Sequence, residues 1–367
     1  MRILFIITSL RIGGAERLLV DMLPLLKEQG IEPELLLFDG TETCFLRQLK
    51  EKGIKIHIGG NGACQMWNPL HIFKIRKLIK KGEYDILHTH NTPAQLLTAI
   101  AIGDKGSPVL ITTEHNTTNS RRKVRALRSL DKWMYGKYNK IICVSDKVKE
   151  TLAEYLKNEK SSNKISVIRN GIDLGRFENI GLKDPSKEKI ILMVGAFRKQ
   201  KDQPTLIKAV SILPEEYRLW LAGGWRGREE CEELCRTLNI AERVEFLGER
   251  DDIPDLLGKS DIAVLSTHYE GMPLSAIEAM AAGRPLIASD VDGVREIVKD
   301  AGILFKEGDY KNLARKIKEL GENRKMREEM SSGCHQRASE FDIKTTVALH
   351  SSLYRNILNE DYLEVRV

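Results

Sequence analysis

Along this chain, short runs rich in β-branched and apolar residues alternate with longer stretches in which apolar positions recur three and four apart. The runs at 2–8, 33–38, 55–58, 84–88, 108–112, 140–144 and 164–168 read as strands. The stretches at 15–29, 45–52, 69–81, 92–102, 124–138 and 145–156 read as helices between them. A second alternation starts at Lys189, with strands at 218–222, 243–246, 261–265, 285–288 and 302–305, and long amphipathic helices close the chain from about Asp309. Strand and helix in strict alternation, joined by short connections, predict parallel, doubly wound sheets.

The pattern repeats, and a length of 367 residues suits two domains better than one. The expected fold is α/β, two Rossmann-like doubly wound domains facing across a cleft. The first is expected over 1–172 and the second over 189–344, with the turn-rich and polar segment 173–188 as linker and a C-terminal helix of about 345–367 returning to the first domain.

The most chemically loaded stretch is Ser266 to Pro285. An apolar run ends at Leu265, a polar loop follows, and Pro273 opens an Ala-rich helix closed by Gly283 and Pro285. Glu270 lies in the loop and Glu278 in the helix, with seven residues between them. The amides of Gly271, Met272, Leu274 and Ser275 gather at the helix start, where the backbone favours an anion. Two acids beside an anion site suit a ligand carrying both phosphates and hydroxyls, as a nucleotide sugar does. A solvated loop acid and a helix-face acid would account for either glutamate alone.

Three further places carry candidate chemistry. Gly13 and Gly14 follow the first strand and let the backbone approach a ligand; their spacing is not G-x-G-x-x-G, which leaves a nicotinamide site poorly supported. His88 and His90 close the Y-D-I-L-H-T-H strand and His115 follows V-L-I-T-T-E, at strand ends where a ligand or a structural cap are both open readings. Arg198, Lys199 and Lys201 share one turn after the first strand of the second half, with Asp202 as expected helix cap, and could neutralise a pyrophosphate.

Composition narrows the class. With 42% hydrophobic and 30% charged residues and no apolar stretch near the ~20 needed to span a bilayer, the chain is expected to be soluble and cytoplasmic. Its N-terminus reads as a first strand and not as a signal peptide. Six cysteines, at 44, 64, 143, 231, 235 and 334, lack zinc-type spacing. No metal, no cofactor and no nucleic acid partner is expected. Residues 1–170 carry a net charge of +11 against −5 for the remainder. The basic clusters are Lys74, Arg76, Lys77, Lys80 and Lys81, then Arg121, Arg122, Lys123, Arg125, Arg128 and Lys132. Such faces are commonly just solvated, but they would also suit the inner face of an anionic membrane or a pyrophosphate-bearing acceptor.

With these residues in place, the sequence resembles the retaining glycosyltransferases of the GT-B fold that carry an E-x7-E signature and act in capsular, lipopolysaccharide and other lipid-linked glycan synthesis. The resemblance rests on Gly13-Gly14, T-E-H-N at 113–116, N-G-I-D at 170–173, V-G-A-F-R-K-Q-K-D at 194–202, F-L-G at 246–248 and Y-E-G-M-P-L-S-A-I-E-A-M-A-A-G-R-P at 269–285. It implies a nucleotide-sugar donor, UDP- or GDP-linked, and a glycan or lipid-linked acceptor. Glu270 would hold donor sugar hydroxyls with the following amides, Glu278 the ribose hydroxyls, and Lys201 the diphosphate. His115 would line the sugar pocket, Gly14 would sit against the donor phosphate or the acceptor, and Gly13 and His90 would contact the acceptor. Ala196 stands where many members have Arg, with Arg198 two residues on as the substitute charge. A nucleotide-sugar epimerase or hydrolase on the same frame, or a non-catalytic nucleotide-sugar or glycan-binding module, remain competing readings.

Overall fold

The structure, a computed structural model, describes residues 1–103, 108–117, 124, 127–156, 163–178, 180, 187–224 and 226–364, the side chains of 360–364 excepted. Its contacts divide the chain into two units: Met1–Gly171 with Ile343–Val367, and Ile172–Asp342.

In the first unit the strands are β1 (Arg2–Ile7), β2 (Glu32–Asp39), β3 (Lys55–Gly60), β4 (Ile86–His90), β5 (Val109–Glu114), β6 (Lys140–Cys143) and β7 (Ile165–Val167). They form one parallel sheet in the order β3-β2-β1-β4-β5-β6-β7. The helices between them are α1 (Gly14–Glu28), α2 (Cys44–Glu51), α3 (His71–Gly82), α4 (Thr92–Ile102), α5 (Leu127–Gly136) and α6 (Asp146–Leu156). Both faces of such a sheet are covered, which is why its strands are continuous apolar runs: Ile3 to Ile7 are all fully buried. Leu19, Met22, Leu23 and Leu26 of α1 pack in that core with Ile343, Val347, Tyr354 and Ile357 of the last helix, Ile343–Glu364. Each such side chain contributes roughly 1.5–3 kcal/mol on burial.

One charged knot ties β1, β2 and β3. Glu34 accepts from Tyr84 Oη at 2.6 Å, Arg2 Nη2 at 2.8 Å and Lys55 Nζ at 3.1 Å, and contacts His57 Nε2 at 2.7 Å. Burial alone would raise its pKa; the bonds from His57, Tyr84, Arg2 and Lys55 outweigh that and hold the carboxyl at about 2.

The second unit holds β8 (Lys189–Val194), β9 (Tyr217–Ala222), β10 (Val244–Gly248), β11 (Ile262–Leu265), β12 (Leu286–Ser289) and β13 (Ile303–Phe305), parallel in the order β10-β9-β8-β11-β12-β13. In both units the expected element types appear in the expected order. Residues 173–178 form a 3-10 turn, Leu174–Phe177, whose Phe177 is buried. Arg121, Arg122, Lys123 and Arg125 of the second basic cluster, and most of the expected linker at 179–186, lie outside the described residues.

Asp202 departs from expectation. It occupies the cap position of the helix Gln203–Ser211 but makes no capping bond, because the preceding 3-10 turn leaves its backbone at φ 41°, ψ 44°. A capping carboxylate needs an extended backbone to reach back to the first-turn amides, and the left-handed conformation withholds it.

Strand order reverses between β1 and β4 in the first unit and between β8 and β11 in the second. Open α/β sheets take their ligands at such reversals, outside the carboxyl ends of the strands. Gly13, Gly14 and His90 stand at the first reversal, and Lys201 and Glu270 stand at the second.

Candidate active site

In the second unit the loops after β8 and β11 are sewn together before any charge is considered. The Gln200 carbonyl accepts the His268 amide at 2.8 Å, and the Gln200 side chain donates to the Tyr269 carbonyl at 2.7 Å. On that frame Lys201 Nζ reaches Glu270 Oε1 at 2.7 Å. Thr267 Oγ1 lies 2.9 Å from the same oxygen and Gln200 Nε2 lies 3.4 Å from Oε2. Glu270 is 5% exposed, so an ionised carboxylate there requires these donors. Oε1 is shared by a cation and a hydroxyl, whereas Oε2 has one long bond and keeps acceptor capacity for a ligand hydroxyl.

The loop that carries Glu270 is shaped by a residue absent from the sequence reading. Gly293 has φ +80°, and a Cβ on it would lie 2.3 Å from the Glu270 carbonyl oxygen and 3.0 Å from that of Gly271. Only glycine lets the turn after β12 press against the Glu270–Gly271 backbone. The D-G dipeptide at 292–293 was the available signal.

The helix Leu274–Ala281 starts after Pro273 with no side-chain cap, and its start includes Leu274 and Ser275, with Gly271 and Met272 in the approach. Glu278, buried within it, lies 3.8 Å from Arg176 Nη1 of the 3-10 turn Leu174–Phe177. Arg176 is a second residue that sequence reading missed: N-G-I-D at 170–173 carried the resemblance, but the residues after it were read only as turn and linker. Arg198 is exposed at the head of the turn Lys199–Lys201. The arrangement of this unit sets two acids, each with a cation, on either side of a helix start.

In the first unit, His88 and His90 are completely buried and His115 partly so. His88 is a core residue, held by Tyr354 Oη at 2.7 Å and Thr113 Oγ1 at 2.8 Å. His90, expected at the acceptor, is fully buried and lies 3.0 Å through Nδ1 from His115 Nε2. Burial, with the neighbouring imidazoles, pushes His90 far below the ordinary histidine range, and burial and His350 bring His115 down to about 4. Both rings are therefore neutral at neutral pH, and one proton sits between them. His90 Nε2 is buried without a partner. A buried orphan N–H is costlier than a buried orphan lone pair, so the favoured arrangement places the proton on His90 Nδ1. His115 then accepts at Nε2 and donates at Nδ1.

Around them the strand ends are linked. Asn91, at φ 69° and ψ 148°, holds a backbone region that side chains rarely adopt, and its amide donates to Thr8 Oγ1 at 3.4 Å and Glu16 Oε1 at 3.3 Å. Gly13 precedes α1 and Gly14 begins it; a Cβ at Gly13 would meet Glu16 Oε2 at 2.4 Å. The second-unit cysteines Cys231, Cys235 and Cys334 are buried, and burial raises their thiols to about 11, about 12 and about 12.

Comparison with known proteins bears on the family and the fold. Residues 12–176 match the model for glycosyltransferase family 4, and residues 178–337 match that for glycosyl transferases group 1. The chain is 28% identical, over 77% of its length and 78% of the relative's, to an Escherichia coli UDP-Gal:alpha-D-GlcNAc-diphosphoundecaprenol alpha-1,3-galactosyltransferase. It is 30% identical, over 58% of its length and 60% of the relative's, to an N,N'-diacetylbacillosaminyl-diphospho-undecaprenol alpha-1,3-N-acetylgalactosaminyltransferase of Campylobacter jejuni. Among solved structures, Anabaena HepE in complex with UDP-glucose superposes with a TM-score of 0.84 at 22% identity, covering 97% of this chain and 100% of that one.

Proposed function

The chain belongs to the glycosyltransferases of the GT-B fold, and from that premise we propose that it moves a sugar from a nucleotide-sugar donor to a lipid-linked glycan acceptor, with retention of anomeric configuration and without a divalent metal. The observation that carries the donor is the Lys201–Glu270 pair at the strand reversal of the second unit, beside the uncapped start of Leu274–Ala281. Lys201, assisted by Arg198 and that helix start, would meet the negative charge growing on the departing diphosphate, which is the charge a metal would otherwise balance. Oε2 of Glu270 would take a sugar hydroxyl, and Glu278, steadied by Arg176, the ribose hydroxyls. His115, donating at Nδ1, would bind a sugar oxygen.

Support for the acceptor comes from the two relatives whose names specify diphosphoundecaprenol-linked sugars, and for retention from the alpha linkages those names print, since an alpha product from a sugar held alpha to its nucleotide keeps the donor's configuration. In a retaining transfer the acceptor hydroxyl attacks from the face the diphosphate leaves, and the leaving phosphate oxygen takes the acceptor's proton. That balances the step with no carboxylate nucleophile.

The test is incubation with a panel of UDP- and GDP-sugars, with and without polyprenyl diphosphate-linked acceptors, followed by mass spectrometry. Acceptor-dependent nucleotide release with a glycosylated product is expected, and it should survive EDTA. Conversion or hydrolysis of the donor without an acceptor would make the protein an epimerase or hydrolase. Binding without turnover under every condition would make it a binding module.

A further inference from the structure

The segment leading into α3 presents an apolar tip that the fold leaves uncovered. Trp67 is 53% exposed, Leu70 65% and Phe73 64%, and Ile58 of the edge strand β3 is 37% exposed. Trp67 ends the 3-10 turn Ala63–Trp67, Leu70 caps α3 and Phe73 lies in its first turn. The inward face of α3 is accounted for separately: Ile75 is fully buried and His71 stacks on Phe38 at 4.2 Å. The apolar tip is therefore surplus to the core.

The exposed face of α3 continues from this tip into cations. At 100° per residue, Leu70, Phe73, Lys77, Lys80 and Lys81 fall on one arc, and Lys77, Lys80 and Lys81 are exposed. Lys74 sits beside them and donates to the carbonyl of Ile58. α3 contains no acidic residue. Arg76 does not belong to the strip, because its guanidinium donates to the carbonyls of Ala101 and Ile100 at the end of α4.

We propose that this face, Trp67-Leu70-Phe73 with Lys77, Lys80 and Lys81, is the docking surface for an anionic phospholipid bilayer. The three apolar side chains would enter the headgroup boundary while the lysines stay among the phosphates, the division of labour of an interfacial helix. Lysine is a mobile point charge without the fork that reads one fixed carboxylate, and it suits a diffuse sheet of negative charge. A second copy docking on the same face through a two-fold axis would set lysines against lysines. A nucleic acid would use the charge but has no use for Leu70 and Ile58. The surface is read from exposure and charge; only its purpose, delivery of the enzyme to a lipid-linked acceptor, rests on the proposed function.

The test is cosedimentation of the full chain with phosphatidylcholine vesicles containing about one-third phosphatidylglycerol, at low salt and without donor or acceptor. Wild type should bind, and a blue shift of its tryptophan emission should be absent in Trp67→Phe. W67S/L70S/F73S should bind at least ~10-fold more weakly. K77Q/K80Q/K81Q should lose about 100-fold and most of the salt dependence. Both variants should glycosylate a water-soluble acceptor at the wild-type rate. Equal vesicle binding by wild type and W67S/L70S/F73S would overturn the proposal, as would no binding by wild type. So would a wild-type dimer that the serine variant dissolves, or a preference for RNA over vesicles lost in the lysine variant. Loss of transfer to the soluble acceptor in wild type itself would instead count against the proposed function.

Discussion

Lys201 Nζ and Glu270 Oε1, 2.7 Å apart, form an ion pair that bridges the two strands, β8 and β11, between which the second sheet reverses its order. Lys201→Met and Glu270→Gln should each lower kcat by about 10²–10³-fold. Lys201→Met should also cost roughly 1–3 kcal/mol of stability, because it strands a nearly fully buried carboxylate. The double variant should be more stable than the two single losses predict, since it removes both charges together. Urea unfolding and steady-state rates measure both effects. Wild-type kcat/KM in either single variant would remove the site assignment.

On the proposed function, with His115 at the donor sugar, His90 would act on the reaction only through its 3.0 Å contact with His115. Asparagine sets an amide nitrogen near the place of the imidazole Nδ1, so His90→Asn should keep the His115 Nδ1–H tautomer and lose less than ~10-fold in kcat/KM, while His90→Phe should lose about 10²-fold. Nitrogen-15 NMR of the His115 ring at neutral pH reads the tautomer directly. A wild-type ring protonated at Nε2 would reverse the assignment.

Acid should destabilise the protein in two overlapping windows, one opening near pH 6.5 and the other near 4.5. His88, His90, His115 and His350 have folded pKa values lowered mainly by burial, to about 4 for His115 and His350. The unfolded chain then binds protons that the folded one refuses, so stability is complete above pH 6.5 and falls as pH drops from there through the folded values. Glu34, held at about 2 against an ordinary 4.5, keeps its contribution above pH 4.5 and loses it below. Urea unfolding at stepped pH should show stability falling between 6.5 and 4 with a slope of more than one proton. Glu34→Gln should flatten only the lower window. Constant stability from pH 7 to 5 would contradict the buried neutral imidazoles.

Gly293→Ala should reduce transfer and cost about 1–3 kcal/mol, because it combines a left-handed backbone with overlap on the Glu270 carbonyl. Gly248 offers the control: its φ is +71° but nothing lies within 4 Å of a Cβ there. Gly248→Ala should cost less and leave donor KM unchanged. Thermal unfolding and donor KM separate the two.

The element order was legible because each strand is a closed apolar run and each helix has its own period, signals that need no knowledge of neighbours. Lys201 and Glu270 were legible as charges in loops. Their pairing was not, because it depends on β8 and β11 being adjacent although the partners stand 69 positions apart. Gly293 and Arg176 escaped for the same reason: a glycine's close approach and an arginine's partner are properties of what lies opposite. His90 was legible as a strand-end histidine. Its complete burial depends on packing that no local pattern records.

The last helix gives the chain an order in time. Ile343, Val347, Tyr354 and Ile357 complete a core whose other members are made in the first 170 residues. The second unit is one continuous segment, Ile172–Asp342, and can finish as soon as it is synthesised. The first unit must wait, its sheet begun but its core open, until Ile343 to Ile357 have left the ribosome. A nascent chain arrested before Ile343 should therefore hold a protease-resistant second unit and a protease-sensitive first one, the reverse of the N-to-C order of synthesis.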